Sequence, residues 1–300
     1  MDFLRPGTWE EALAMKAARP DATPIQGGTD VMVEINLDKG RPAALLDLNP
    51  VAELAEWSWT GDGAPMLRVG AGVTYARLIA ELGGWLPGLA QASRTVGSPQ
   101  IRNRGTVAGN LGAASPAGDG HPPLLASGAL VEAASVRGTR LIPIAEFYLG
   151  VKRNALEDDE LIRAVHVPPA AGPQYFSKIG TRNAMVIAVC SFAIALRPGE
   201  RRAGTGIGSA APTPRRAYAA EEFLAGELDW DGCGPLDPAL ARRFSELVAE
   251  AASPIDDVRG RAAYRRHALG VMARRALGWA WTDHTAGPAG RAPERSGDSG

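Results

Sequence analysis

Residues 101–120, IRNRGTVAGNLGAASPAGDG, form the stretch that sets this sequence apart. The wider segment 97–120 holds six glycines and three Asn or Asp residues, with few large apolar side chains. Long loops inside compact domains are usually functional. Small residues open the backbone here, and Thr106, Asn110 and Asp119 supply the short polar groups that a dinucleotide needs. A solvated loop in which Asn and Asp cap turns fits the composition equally well.

A second glycine-rich segment, IQGGTDV, lies at residues 25–31. Glycines such as Gly27 and Gly28 let successive backbone amides approach a phosphate, because no Cβ stands in the way. The hydroxyl of Thr29 could add one more donor. A Gly-Gly pair is also common in ordinary tight turns, so both interpretations remain open at this level.

Two other glycine clusters do not match the Rossmann fingerprint G-x-G-x-x-G. The segment at 70–75, GAGVTY, lacks the third glycine, and the segment at 204–209, GTGIGS, has its third glycine one position early. The sequence also contains no G-x-x-x-x-G-K-[ST] phosphate loop. Neither a Rossmann dinucleotide-binding fold nor a P-loop nucleotide-binding fold is therefore expected.

Hydrophobic periodicity and turn residues predict an α+β protein with a sheet-rich middle and a helical C-terminal part. The expected strands are 44–48, 66–73, 129–136, 161–167, 175–179 and 186–196. The expected helices are 8–18, 75–82, 218–225, 239–252 and 260–279. From Thr282 the chain lacks an apolar period, so a disordered tail is predicted there.

Composition excludes several classes of protein. A net charge of −1 argues against a nucleic-acid partner, and the longest apolar run, 13 residues at 184–196, is too short for a membrane span. The N-terminus has no secretory signal, and Cys190 and Cys233 give no disulfide framework, which favours a cytoplasmic location. Two cysteines also cannot supply the four ligands of an iron–sulfur cluster, so any such cluster belongs to a partner.

The four histidines are scattered and show no metal-ligand spacing, so no metal site is predicted. His121 follows Asp119 and Gly120 in the glycine-rich stretch, so it could lie near a cofactor, but it is expected to be an exposed loop residue. His166 alternates with valines and is expected to face outward from a strand.

Six segments of this sequence resemble, in the same order, the FAD-binding medium subunits of the molybdenum hydroxylases, the family of xanthine dehydrogenase and carbon monoxide dehydrogenase. They are IQGGTDVMVEI at 25–35, IRNRGTVAGNLGAASPAGDGHPPLLASGA at 101–129, DDELIRAVHVP at 158–168, FSKIGTR at 176–182, IGSAAPTPRRA at 207–217 and DDVRGRAAYRRHAL at 256–269. Any one segment is a modest signal, but six in register are specific.

The resemblance implies a PCMH-type FAD-binding fold of two α/β subdomains, followed by a small three-stranded sheet with helices. The expected domains are 1–170 for FAD binding, 171–281 for the C-terminal flavoprotein domain and 282–300 for the tail. The implied FAD-binding residues fall in two loops and three single positions, and no catalytic residue is expected. They are Ile25, Gln26, Gly27, Gly28, Thr29, Asp30, Val31, Thr106, Val107, Ala108, Gly109, Asn110, Asp119, Ile162 and Lys178.

The resemblance also implies partners: a large molybdenum-cofactor subunit that oxidises the substrate and a small subunit with [2Fe–2S] clusters. FAD in this chain would pass the electrons to NAD⁺, oxygen or another acceptor, and a purine is the first candidate substrate. The sequence departs from the family pattern at Ala108, where glycine is usual, and at Val186, where aspartate is frequent. These departures keep open a flavin-free assembly protein, and a stand-alone flavin oxidase of the same superfamily is the other alternative.

Overall fold

The computed structural model of the chain describes residues 1–287, apart from residues 39, 62 and 233. The first subdomain is a parallel three-stranded sheet with two connecting helices. Its strands are β1 (Asp2–Leu4), β2 (Ala22–Ile25) and β3 (Ala44–Asp47), with β3 in the middle, and its helices are α1 (Trp9–Ala18) and α2 (Val31–Asn36). The predicted start of α1 is confirmed, because the hydroxyl of Thr8 accepts a hydrogen bond from the backbone N–H of Glu11 at 3.2 Å.

The second subdomain is a five-stranded antiparallel sheet. Its strands are β4 (Trp57–Trp59), β5 (Leu67–Gly70), β6 (Leu130–Ser135), β7 (Gly138–Pro143) and β10 (Leu161–Val167), in the order β4-β5-β10-β6-β7. A short helix, α8 (Ile144–Phe147), and a two-stranded hairpin, β8 (Tyr148–Gly150) with β9 (Arg153–Asn154), follow β7. Sequence patterns did not predict β7, because only Ile142 of its six residues is buried.

The central position of β10 explains why the predicted outward orientation of His166 is wrong. His166 is buried, with Nε2 2.7 Å from the carboxylate of Glu132 on the neighbouring strand. Arg68 donates two hydrogen bonds to the same carboxylate, at 2.8 and 3.0 Å. Burial alone would raise the pKa of Glu132, but the hydrogen bonds from His166 and Arg68 outweigh it and lower the pKa to about 2.

The connection from β5 to β6 is helical. It comprises α3 (Tyr75–Arg77), which continues as a π-helical turn (Leu78–Leu82), then α4 (Pro87–Thr95), α5 (Pro99–Arg102), α6 (Val107–Ala113) and α7 (His121–Ser127). The prediction of one long loop at 97–120 is therefore wrong. Ser98 and Thr106 each accept a hydrogen bond from the backbone N–H three residues ahead, and these caps start two short helices within the glycine-rich stretch.

The C-terminal part is an antiparallel three-stranded sheet covered by helices. The strands are β11 (Gln174–Ile179), β12 (Cys190–Arg197) and β13 (Arg202–Gly208), and the helices are α9 (Tyr218–Glu227), α10 (Pro238–Glu250) and α11 (Ala262–Thr285). Strand β12 begins at Cys190, four residues later than predicted. The predicted tail from Thr282 is wrong at its start, since α11 continues to Thr285, and residues 288–300 lie outside the described residues.

Strand β13 carries the glycines that the sequence analysis tested as a nucleotide-binding fingerprint, and they serve close packing instead. A Cβ at Gly206 would lie 2.6 Å from the carbonyl carbon of Pro122, and one at Gly204 would lie 3.0 Å from that of Ala126. A Cβ at Gly208 would lie 2.9 Å from the Cγ of the Pro122 ring and nearer still to the hydroxyl oxygen of Ser191. Helix α7 of the N-terminal part therefore lies directly on the backbone of β13.

The α+β architecture, with two mixed subdomains followed by a three-stranded sheet and helices, is confirmed. One large apolar cluster fills the first two subdomains, and a separate cluster around Phe192, Phe244 and Leu269 fills the C-terminal part. Among the described residues, no helix combines the length and apolar character needed to cross a membrane.

Candidate functional site

The two glycine-rich segments meet in space. Residues 25–31 connect β2 to α2, and residues 104–110 lead into α6. A Cβ at Gly27 would lie 2.7 Å from the carbonyl carbon of Arg104 and nearer still to its oxygen, so the two backbones touch. A Cβ at Gly105 would lie 3.4 Å from the hydroxyl oxygen of Thr29. The structure therefore brings the two glycine-rich segments, which are far apart in the sequence, into direct contact.

The first loop has the form of an anion cradle. Gly28 has a φ of +73°, a left-handed conformation that favours glycine. The backbone amides of residues 27–30 donate no hydrogen bond to any residue that the structure describes. Asp30 stands at the start of α2, but its carboxylate makes no capping hydrogen bond. These amides therefore remain available to a ligand that supplies acceptor oxygens.

The second loop is a helix start. Thr106 accepts a hydrogen bond from the N–H of Gly109 at 2.9 Å, which fixes the first turn of α6. Val107 and Ala108 on this turn are buried, so the methyl group of Ala108 points into the protein. Asn110 uses its side-chain oxygen to accept a hydrogen bond from the N–H of Gly120 at 3.3 Å, which ties α6 to the segment that carries Asp119.

Asp119 and Lys178 form a buried ion pair between the two halves of the protein. Their Oδ2 and Nζ atoms are 2.5 Å apart, and their side chains are 7% and 9% exposed. The hydroxyl of Thr95 donates to the same Oδ2 at 3.0 Å, and Nζ also donates to the carbonyl of Thr95 at 3.3 Å. Burial raises the pKa of Asp119, and the charge and hydrogen bond of Lys178 oppose this only in part.

Ile162 is the apolar residue among the three single positions of the predicted site. It is buried on β10, beneath α6, where its Cδ1 would be 4.0 Å from a Cβ built at Gly112. Strand β10 has an irregular register beside it, between Ile162 and Ala164. The structure therefore places Ile162 beside Gly112 of helix α6, just beyond the second loop.

His121, at the start of α7, is completely buried, so its predicted place in an exposed loop is wrong. Its Nδ1 lies 2.8 Å from the hydroxyl of Tyr148, and the two rings pack edge to face at 5.0 Å. Burial lowers the pKa of His121 from 6.5 to about 4, opposed only in part by the backbone of Ser115. The partner that buries His121 is 27 positions away, and no local sequence pattern indicates it.

The buried histidine predicts a loss of stability in mild acid. The pKa of His121 is about 4 in the folded chain and 6.5 in the unfolded chain. Between pH 4 and pH 6.5 the imidazole is therefore mostly protonated in the unfolded chain and mostly neutral in the folded chain. This contribution to stability is complete above pH 6.5 and falls by about 3 kcal/mol as the pH drops towards 4. Urea unfolding from pH 7.5 to 4.5 should therefore give a steeper decline for the natural chain than for His121→Phe, which cannot titrate. Parallel declines would contradict the prediction.

Several buried polar atoms around the two loops have no hydrogen-bond partner among the described residues. They are Gln26 Oε1, Tyr75 OH and Asp119 Oδ1. Buried polar groups in folded proteins are nearly always paired, by protein, water or ligand. Their concentration here, beside an open row of amides, fits a polar ligand that touches both loops and Asp119. Tyr75, Thr95 and His121 were absent from the predicted site, and only the position of His121 directly after Asp119 and Gly120 hinted at its neighbourhood.

Comparison with known families identifies the class of protein. Residues 1–170 match the FAD binding domain in molybdopterin dehydrogenase, and residues 175–280 match the CO dehydrogenase flavoprotein C-terminal domain. The chain belongs to this family of FAD-binding medium subunits of molybdenum hydroxylases, as the six segments predicted. It therefore carries an FAD-binding domain.

Individual relatives match over nearly the whole chain. The putative xanthine dehydrogenase FAD-binding subunit of Escherichia coli (strain K12) is 31% identical over 92% of this chain and 94% of its own length. The carbon monoxide dehydrogenase medium chain of Afipia carboxidovorans is 30% identical over 92% of this chain and 95% of its own. Among solved structures, carbon monoxide dehydrogenase from Hydrogenophaga pseudoflava superposes with a TM-score of 0.85 at 26% identity, covering 94% of this chain and 98% of that one.

Proposed function

We propose that this chain is the electron-transferring flavin subunit of a heteromeric molybdenum hydroxylase. In this proposal a small partner subunit with [2Fe–2S] clusters delivers the electrons, and NAD⁺ or another acceptor removes them. Bound FAD supplies the redox chemistry, since it can exchange electrons with both one-electron and two-electron partners. The observation that carries the proposal is the meeting of two glycine loops beside a buried ion pair, with unpartnered polar atoms between them.

The two loops would hold the pyrophosphate part of FAD. Within the segment Ile25 to Val31, residues 27–30 offer backbone amides without acceptors and the hydroxyl of Thr29, which together suit an anionic group. Residues Thr106 to Asn110 close the other side, because Gly27 allows the first loop to pack directly on the backbone before Thr106. No part of this cradle depends on a side chain at Ala108, whose methyl group is buried, so the departure from glycine is compatible with binding.

Asp119 and Lys178 would face the flavin end of the cofactor. Lys178 brings a positive charge from the C-terminal domain, and Asp119 keeps one carboxylate oxygen without a partner. A cation and an acceptor side by side can orient a ring that has both carbonyl oxygens and an N–H group. Because one residue of the pair comes from each half of the protein, the site is complete only when the two halves are packed together. Ile162 would support helix α6 just beyond the second loop.

Oxidation of the organic substrate is assigned to a large molybdenum-cofactor subunit. The names of the relatives include xanthine, caffeine, nicotine and carbon monoxide enzymes, so the flavin subunit does not itself specify the substrate. A purine stays our first candidate from the sequence; the relatives include a xanthine enzyme at 31% and a caffeine enzyme at 32% identity, beside a nicotinate enzyme at 34%. The proposal places the complex in the cytoplasm, where an unpaired, buried thiol such as Cys190 is ordinary.

The division of labour can be tested directly. The purified chain is expected to bind one FAD, to reduce an artificial dye slowly with NADH and to form no uric acid from xanthine. Hydroxylation should appear only when a large molybdenum subunit and a cysteine-rich small subunit are added. Absorbance at 450 nm measures flavin content, and separate assays follow dye reduction and uric acid. Oxidation of substrate by the chain alone would favour a stand-alone flavin oxidase, and a colourless chain that does not take up FAD would favour a flavin-free assembly protein.

A further inference from the structure

The hydroxyl of Tyr75 is buried and has no partner among the described residues. Tyr75 is 2% exposed and lies at the start of α3, where Thr74 caps the helix. It belongs to neither glycine loop and was not among the predicted site residues. Buried tyrosine hydroxyls usually find a hydrogen-bond partner, so an orphaned one indicates a partner that the chain does not supply.

Tyr75 lies where three segments of the candidate site converge. Its backbone N–H donates to the carbonyl of Gly105 at 2.9 Å, which fixes it against the second loop. A Cβ built at Gly105 would lie 3.5 Å from the edge of its ring and 3.4 Å from the hydroxyl of Thr29 in the first loop. A Cβ built at Gly120 would lie 3.5 Å from the tyrosine oxygen itself. The ring therefore runs from the contact between the two loops towards the segment that carries Asp119.

The surroundings keep this hydroxyl protonated. Burial raises the pKa of Tyr75, and the nearby negative charges of Asp119 and Asp30 raise it further. Because the tyrosine hydroxyl stays protonated, it can donate a hydrogen bond to an anionic oxygen. Its position behind both loops suits an acceptor oxygen carried by the group that those loops enclose.

We infer that Tyr75 is a further cofactor-binding residue, whose hydroxyl donates a hydrogen bond to a pyrophosphate oxygen of FAD. The inference rests on the proposed function, because it takes FAD as the ligand of the two loops. It adds a donor from outside the glycine segments and explains why a tyrosine hydroxyl is buried without a partner at this point.

The test compares Tyr75→Phe with Tyr148→Phe in the full chain. Both variants remove one buried hydroxyl and keep the ring, but Tyr148 already has a partner in His121. Titration of the flavin-free chain with FAD, and separately with ADP, measures the affinity for the whole cofactor and for its pyrophosphate part. We expect Tyr75→Phe to bind both about tenfold more weakly and to melt at the same temperature as the natural chain when flavin is absent. Tyr148→Phe should melt at a lower temperature and bind FAD with unchanged affinity.

Three results would overturn the inference. Unchanged FAD affinity in Tyr75→Phe would show that the hydroxyl makes no hydrogen bond to FAD. Weaker FAD binding with unchanged ADP binding would show that the hydrogen bond goes to a part of FAD other than the pyrophosphate. A flavin-free Tyr75→Phe chain that melts early or fails to fold would reveal an internal partner, with the orphaned oxygen of Asp119 as the nearest candidate. Failure of the natural chain to bind FAD would instead reject the proposed function, so the two failures are distinguishable.

Discussion

Replacing Gly27 by alanine is expected to weaken FAD binding by about 100-fold, so that the chain purifies almost without flavin. The added methyl group would lie 2.7 Å from the carbonyl carbon of Arg104 and closer to its oxygen, a separation that real Cβ atoms essentially never show. Both partners are backbone, so neither can move aside as a flexible side chain would. The two loops must separate, and the cradle they form would widen. Flavin-to-protein absorbance and calorimetric titration with FAD measure the effect.

The matched control for this variant is Gly112→Ala on helix α6. A methyl group at Gly112 meets nothing closer than the Cδ1 of Ile162, at 4.0 Å. This control should retain FAD, because it adds the same methyl group two residues beyond the second loop, where it causes no clash. Equal flavin content in the two variants would show that contact between the loops does not determine binding.

Replacing Lys178 by methionine should destabilise the flavin-free chain by about 3–5 kcal/mol at neutral pH, because it leaves the buried carboxylate of Asp119 without its cation. Burial already raises the pKa of Asp119, so the carboxyl should take up a proton as the pH falls, and the deficit should shrink in acid. Urea unfolding at pH 7.5 and pH 5 measures both parts of the prediction. Reduced FAD content is expected in the same variant.

A double-mutant cycle separates the ion pair from its surroundings. Asp119→Asn combined with Lys178→Met removes both charges and should recover much of the lost stability. Arg201→Met serves as the surface control. The side chains of Arg201 and its ion-pair partner Asp231 are 62% and 76% exposed, so this pair should contribute nothing measurable to the free energy of unfolding. If Lys178→Met were as mild as Arg201→Met, the buried pair would not contribute to the packing of the two halves.

The sequence predicted those parts of the fold that local pattern determines. The limits of β10 agree with the structure at both ends, because an apolar run there is bounded by an acidic turn and by two prolines. Strand β13 was missed because three of its seven residues are glycine, which leaves no side-chain alternation to detect. Its glycines are required only because helix α7, more than 70 residues earlier in the chain, packs directly on this strand. No pattern of neighbouring residues indicates such a long-range contact.

The candidate site divides in the same way. The two glycine loops and Asp119 could be found from composition, and the resemblance supplied Ile162 and Lys178. The structure brings Asp119 and Lys178 into contact and puts Ile162 beside Gly112, just beyond the second loop. Tyr75 and Thr95 could not be predicted, because each is defined by what surrounds it in space. For His121 the sequence indicated a place near a cofactor but not its burial. The burial of His121 against Tyr148 is the clearest case, since the same residue in a polar loop would be read as solvated.

The glycines of β13 also limit how chimaeras could be built from two flavin subunits of this kind. Where two backbones touch, as Gly206 and Pro122 do, any side chain larger than hydrogen on the strand forces the partner helix away. In a chimaera, helix α7 and strand β13 must therefore come from the same parent protein, although they lie on opposite sides of residue 170. A chimaera cut between residues 170 and 175 would join parts whose surfaces were fitted to different neighbours. Grafts that carry α7 together with the C-terminal sheet should preserve the spacing of Asp119 and Lys178.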